Sequence, residues 1–388
     1  MRLRRLTVLA AMLLAACSSL TDLKSSVSES LFGPEERDPP AELEEFKQSA
    51  TATLLWQASV GSAEAYQFTP AVDGQAVFAA SADGEIVRLD AASGKEVWRI
   101  KAGEPLSGGV GAGSNLVLVG TPKGTVLAFS QDGKPLWKSR ISSEVLSAPK
   151  VGSGMVVVRS GDSRIFGLDA IDGKRRWVYE RATPSLTLRS AAGVVLDGGA
   201  AYVGFSGGKM VALKTDDGKI LWEASVALPK GTTEIERIAD ITSLPVVDGP
   251  LVYAVAFQGR VAAVDRRTGR VTWNRDISSY TGMSAEDGRI FVTHSGGAVY
   301  ALDYSGGKSY WRQGTLLNRR LSAPLPMGAF VAVGDVEGYI HFLARDDGAM
   351  VARIQTEDSP IMAQPVYLGN ATMLVQTRGG GLYAVSIK

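Results

Sequence analysis

Residues 297–311 read GAVYALDYSGGKSYW, and this short run decides the fold. A glycine opens an apolar run, Ala298-Val299-Tyr300-Ala301-Leu302, which closes on Asp303. A turn glycine follows at Gly307, and Trp311 stands four residues later. Gly208-Lys209-Met210-Val211-Ala212-Leu213, with Gly218 and Trp222, repeats it with Lys214 in place of the aspartate. All seven tryptophans occupy this position: Trp56, Trp98, Trp137, Trp177, Trp222, Trp273 and Trp311, at intervals of 42, 39, 40, 45, 51 and 38. Six follow a turn glycine by four residues, namely Gly94, Gly133, Gly173, Gly218, Gly269 and Gly307. An eighth unit keeps Asp347-Gly348 but carries Ala352 where tryptophan would be. A second turn lies upstream in each unit, as in Asp83-Gly84, Lys123-Gly124 and Glu337-Gly338. Asp162-Ser163 replaces the glycine pair in one of them.

One unit predicts four strands: 67–72, 76–80, 85–90 and 96–100, joined by turns at Asp73-Gly74, Asp83-Gly84 and Ser93-Gly94. Tight two-residue turns need positive φ, which glycine adopts without a Cβ penalty. The 44 glycines among 388 residues fit many such turns. A four-stranded unit of about 40 residues is the signature of a propeller blade. The tryptophan falls on the outer strand, where its bulk fills the widening wedge between blades; ligand stacking is the lesser alternative. The last unit supplies three strands from Ile361 and stops at Lys388. Residues 53–59, with Trp56, form a fourth strand with nothing before it. Pairing the two predicts an all-β, eight-bladed propeller of four-stranded antiparallel blades, its last blade closed by the N-terminal strand, leaving no open edge.

Before the propeller, which is expected over 51–388, the chain has two further segments. Arg2, Arg4 and Arg5 precede an apolar stretch, Leu6 to Leu14, too short to span a bilayer. Residues 1–16 therefore read as an export signal. Leu14-Ala15-Ala16-Cys17 resembles the lipobox of bacterial lipoproteins, which implies acylation at Cys17 after cleavage. An ordinary signal peptide with an incidental cysteine is the alternative. Cys17 is the chain's single cysteine, so no intramolecular disulfide is available. Ser18, where an aspartate usually retains such lipoproteins at the inner membrane, favours the outer membrane. Residues 17–50 are expected to be a lipidated, flexible tether with at most a short helix near 43–47. Some 30 flexible residues span roughly 30 Å.

Lysine and arginine number 41 against 40 acids, and removal of the signal takes the net charge from +1 to −2. No basic excess points to nucleic acid. With two histidines, His294 and His341, no Ser-His-Asp set or histidine-rich metal site can be assembled from the sequence.

The repeat resembles the pyrroloquinoline-quinone type, carried both by quinone-dependent dehydrogenases and by the BamB family of outer-membrane assembly lipoproteins. The signal, lipobox, tether, length and blade count are similar to the second. So are Leu186-Thr187-Leu188-Arg189 and Glu234-Ile235-Glu236-Arg237-Ile238-Ala239-Asp240. Thr242 stands where that family often has a second acid. Membership implies a non-catalytic scaffold without cofactor, binding the periplasmic POTRA domains of the barrel subunit BamA and assisting insertion of unfolded outer-membrane proteins. The resemblance places partner contacts at Leu186, Leu188, Arg189, Glu236, Arg237 and Asp240. The dehydrogenases of this repeat are usually longer chains, with a vicinal Cys-Cys pair over the cofactor and calcium-binding acids in the channel, whereas this chain has one cysteine, assigned to lipidation. A binding propeller of another envelope complex is the third reading.

The two segments can also be placed without the family. The longest excess lengths follow Trp177 and Trp222, in links from an outer strand to the next inner strand. Such links share one face, so these two are neighbours. Exposed leucines flanked by an arginine and an acid suit protein docking. In the alternative arrangement the leucines tuck under their own loop and Arg189 pairs with Asp240.

Overall fold

In the computed structural model, Val299–Asp303 pairs antiparallel with Ser309–Gln313 around Gly307, as residues 297–311 require. The structure describes residues 39–388; the export signal, Cys17 and most of the expected tether lie outside them. The described strands form eight four-stranded antiparallel sheets. Blade 1 spans 71–101, blade 2 108–140, blade 3 150–179 and blade 4 194–225. Blade 5 spans 246–275, blade 6 282–313 and blade 7 325–355. Blade 8 joins Val366–Gly369, Thr372–Gln376 and Gly381–Ile387 to Ala52–Ser59 at its outer edge. The expected closure is present, with Ala52 opposite Ile387 and Ser59 opposite Gly381.

Eight clusters of buried apolar side chains lie among the described residues, each joining two neighbouring blades. The cluster between blades 8 and 1 unites Trp56, Val60 and Leu382 with Val77, Val87 and Leu89. The core is thus a ring of interfaces, and opening any one of them exposes apolar surface on two blades.

The tryptophans work as locks between blades. Each indole donates from Nε1 to a backbone carbonyl in the last turn of the following blade: Trp56 to Ala91 at 3.0 Å, Trp311 to Arg345 at 2.8 Å, and the other five alike. The turn glycine of that blade forms the seat. A Cβ on Gly94 would sit 2.5 Å from the Trp56 ring, and one on Gly307 2.6 Å from Trp273. Both glycines also hold positive φ, so two constraints coincide there. Ala352 now has a physical reason. A tryptophan on blade 7 would need the last turn of blade 8, but that blade changes chain ends at this point. The seam is filled by Ala50 and Ala52, which pack against the cluster containing Val351 and Ala352.

Two boundaries differ from the sequence expectation. The inner strand of blade 1 is Ala71–Asp73 rather than 67–72. Pro70 has no N–H to extend the ladder, and Thr69 exchanges hydrogen bonds with Gly109 and Val110 of blade 2 instead. Residues 41–50, expected within the flexible tether, lie as an extended strap along blade 7, without the short helix considered for 43–47. The Ala41 amide donates to the Leu317 carbonyl at 2.9 Å, and Ser49 and Ala50 donate to the Val351 carbonyl. Leu43 packs into the cluster between blades 6 and 7, and the Arg353 guanidinium lies 5.0 Å from the Phe46 ring centre.

Beneath the strap is a buried charged cluster. Arg319 Nε donates to Asp335 Oδ2 at 2.7 Å, its Nη1 to the Ala41 carbonyl at 2.7 Å, and its Nη2 to Glu337. His341 Nε2 lies 2.8 Å from the same Asp335 oxygen, and its Nδ1 accepts from Arg353 Nε at 3.2 Å. Arg319, Asp335 and His341 are all buried. His341 is therefore structural. His294 accepts the Gly296 amide within its own turn at 2.9 Å.

Candidate functional site

The links after blades 3 and 4 cover 180–193 and 226–245, and they are the two longest such links among the described residues. They touch. Asp240 Oδ2 accepts the Leu188 amide at 2.8 Å, and Ser185 Oγ donates to Glu234 at 3.4 Å. The two segments singled out in the sequence thus form one surface.

Their residues divide into those that face out and those that support. Leu186 is 42% exposed, and Arg189 is exposed on the same link. Leu188 is half-buried. On the second link Glu236 and Arg237 are exposed. Glu236 turns back to accept the amides of Thr232 and Thr233 at 2.8 and 3.1 Å, capping a single turn of chain. These hydrogen bonds hold its carboxyl below the usual range. The Arg237 amide donates to the Thr233 carbonyl at 3.1 Å, while its guanidinium makes no hydrogen bond or ion pair among the described residues, so its charge is free for a partner.

Asp240 differs from the expectation of a surface acid. It is buried, and its other oxygen accepts the Gly207 amide at 3.0 Å. Under the loop lies Arg159, bonded to the Gly204 carbonyl at 2.7 Å. Burial pushes the Arg159 pKa down to about 10, with the charge of Asp240 opposing that fall. Asp240 is thus a positioning residue: it fixes Leu188 and offsets a buried cation. The Arg189–Asp240 pair weighed as an alternative does not form. Arg189 instead makes a two-pronged pair with Glu144 on the link before blade 3, Nε to Oε1 at 2.9 Å and Nη2 to Oε2 at 2.8 Å. Its guanidinium also lies 5.7 Å from the Tyr66 ring centre. Thr242 donates to the Tyr280 carbonyl at 3.0 Å, so the residue replacing the family's second acid is spent on a local contact.

Sequence reasoning missed three apolar residues on the second link. Leu228 is 60% exposed, Ile235 66%, and Leu244 also faces outward. Apolar residues inside a long link were the available signal. With Leu186 they give the two linked loops several exposed apolar side chains beside the charges of Arg189, Arg237 and Glu234, a composition suited to a protein partner.

A closed ring of blades with its two longest loops bonded together on one face is the architecture of a scaffold. The family model described as outer membrane protein assembly factor BamB matches residues 47–108 and 82–313. An outer membrane protein assembly factor BamB of Nitrosomonas eutropha is 42% identical over 97% of this chain and 93% of its own length. That of Burkholderia pseudomallei is 40% identical over 96% and 95%. Among solved structures, BamB from Moraxella catarrhalis superposes with a TM-score of 0.80 at 25% identity, covering 87% of this chain and all of that one. A quinohemoprotein alcohol dehydrogenase from Comamonas testosteroni reaches 0.69 at 14% identity, covering 86% of this chain and 76% of its own, a likeness of fold alone. The chain belongs to the BamB family of outer membrane protein assembly factors, and is a non-catalytic scaffold.

Proposed function

We propose that this chain is a lipid-anchored subunit of the outer-membrane β-barrel assembly machinery that docks the periplasmic POTRA domains of BamA on the face formed by residues 180–193 and 226–245. The observation that carries this reading is the direct bonding of the two long links, which sets Leu186, Leu188 and Arg189 beside Ile235 and Arg237. Leu186 and Ile235 supply apolar anchors, Arg189 and Arg237 supply charge, and Asp240 holds Leu188 from below. Arg189 is preorganised by Glu144, which limits the side-chain entropy lost on binding. The anchor is Cys17, acylated after loss of residues 1–16, with the outer membrane as its address. Unfolded outer-membrane proteins are the clients, for which pairing along a strand edge is a physically reasonable mode.

The test is a titration of the BamA periplasmic fragment against the wild type, Leu188→Ala, Arg189→Glu and Lys95→Glu. Lys95 lies in an exposed turn on the opposite face. Losing an interface anchor costs about 2 kcal/mol, or roughly thirtyfold in affinity. The first two variants should show that loss with unchanged circular dichroism, and Lys95→Glu should bind as the wild type does. Equal affinities for all four would remove the docking face. A second check is mass spectrometry of the mature protein, expected to begin at an acylated Cys17; a soluble product beginning elsewhere would overturn the anchor.

A further inference from the structure

The structure carries a second site, a cavity of about 400 Å³ at the mouth of the central channel, which borders the partner face through the ends of the two long links. It is built from the ends of the inter-blade links and the first residues of the inner strands. Small residues at the innermost positions, including Gly109, Gly193, Gly282 and Ala323, leave the space open. Val72, Val110, Leu244, Met283 and Val366 make much of its wall apolar. Lys150 is the one charged side chain among its lining residues. It starts the inner strand of blade 3, paired with Val157 in the ladder, and its ammonium makes no hydrogen bond or ion pair among the described residues. Burial pushes its pKa down with no acid nearby to oppose the shift. The same wall holds Ser243, whose buried hydroxyl has no hydrogen-bond partner in the structure.

A partly buried ammonium without a counter-charge and a buried hydroxyl left unbonded in the same wall are two polar groups open to a ligand. We propose that this cavity binds a small monocarboxylate with an apolar body, its acid group paired with the Lys150 ammonium. A single lysine is a point charge, suited to one carboxylate; phosphate recognition more often draws on several donors in a fork or nest. The apolar wall takes the remainder of the molecule, and a volume of this size falls within the range of small-ligand pockets.

The probe is 4-phenylbutanoate, compared with 4-phenylbutanamide, by calorimetry and saturation-transfer NMR on the full chain. A ligand of this size is expected to bind with a Kd on the order of 1 mM. Loss of the charge-assisted contact should weaken the amide, and the acid on Lys150→Met, by roughly tenfold or more. Without ligand, Lys150→Met should melt at the same or a higher temperature, because a partly buried, unpaired cation has been removed. That separates a binding defect from a folding defect. Equal affinity for acid and amide, undiminished binding of the acid to Lys150→Met, or no binding of either probe at about 10 mM would each overturn the proposal.

Discussion

Deleting residues 52–59 should convert the protein to an aggregating species without a cooperative melt, whereas deleting residues 18–40 should leave the melting temperature nearly unchanged. The first deletion removes the entire outer strand of blade 8, which pairs from Ala52 to Ser59 with the last strand of the chain. It exposes the edge of Gly381–Ile387, all of whose residues are buried, and an uncovered apolar edge recruits other chains. It also removes Trp56, whose ring fills the space over Gly94 and whose indole bonds to the Ala91 carbonyl. Trp56→Ala alone should cost about 3–5 kcal/mol through the cavity left behind. Leu55, exposed on the same strand, is the control, and Leu55→Ala should be close to neutral. Differential scanning calorimetry distinguishes these cases. A cooperative melt of the 52–59 deletion near the wild-type temperature would show that the ring does not depend on its N-terminal strand.

Arg319→Ala is expected to do as much damage as Trp56→Ala, about 3–5 kcal/mol, because it leaves Asp335 buried without its main cation. It also removes the bond to the Ala41 carbonyl, so protease cleavage within residues 41–50 should accelerate. The same cluster sets a pH dependence. Burial would raise the Asp335 pKa, but hydrogen bonds from His341, the Tyr339 amide and Arg319 outweigh it and hold the carboxyl below its ordinary value. Burial pushes the His341 pKa down, so the native ring is neutral while the unfolded ring takes a proton near pH 6.5. His341 therefore contributes stability that is fully present above about pH 6.5 and is lost as pH falls towards its lower native pKa. The loss approaches about 1.4 kcal/mol per pH unit. Asp335 has the same sign at lower pH, holding its contribution above about pH 3.9 and losing it below. Urea denaturation at pH 7.5 and 5.0 should show the decline, and His341→Gln should flatten it. An unchanged slope in His341→Gln would exclude the ring as its source.

The blade count and the closing strand were legible because they depend on local chemistry: glycine turns, alternating apolar residues and a tryptophan at a fixed offset. The adjacency of the two long links was legible from loop length alone. Less visible were contacts between residues far apart in the chain. Glu144 holds Arg189 across 45 residues, and Asp240 reaches Leu188 across 52. Neither spacing has a period, so the buried role of Asp240 could not be separated from a surface one. The strap over blade 7 was hidden for a related reason. Residues 41–50 dock mainly through backbone carbonyls and amides, and through guanidiniums supplied by Arg319 and Arg353, so their own composition reads as tether. Ala352 looked like a lapse in the repeat; the seam shows that the blade it would lock onto has no turn there.

The most direct test of the docking face is site-specific photocrosslinking in cells, with a photoreactive residue placed singly at Leu186, Ile235 or Lys95. Leu186 and Ile235 are exposed on the two long links, and Lys95 is exposed on the opposite face. The account predicts an adduct with BamA from positions 186 and 235 and none from position 95. Adducts from position 95 alone would contradict it.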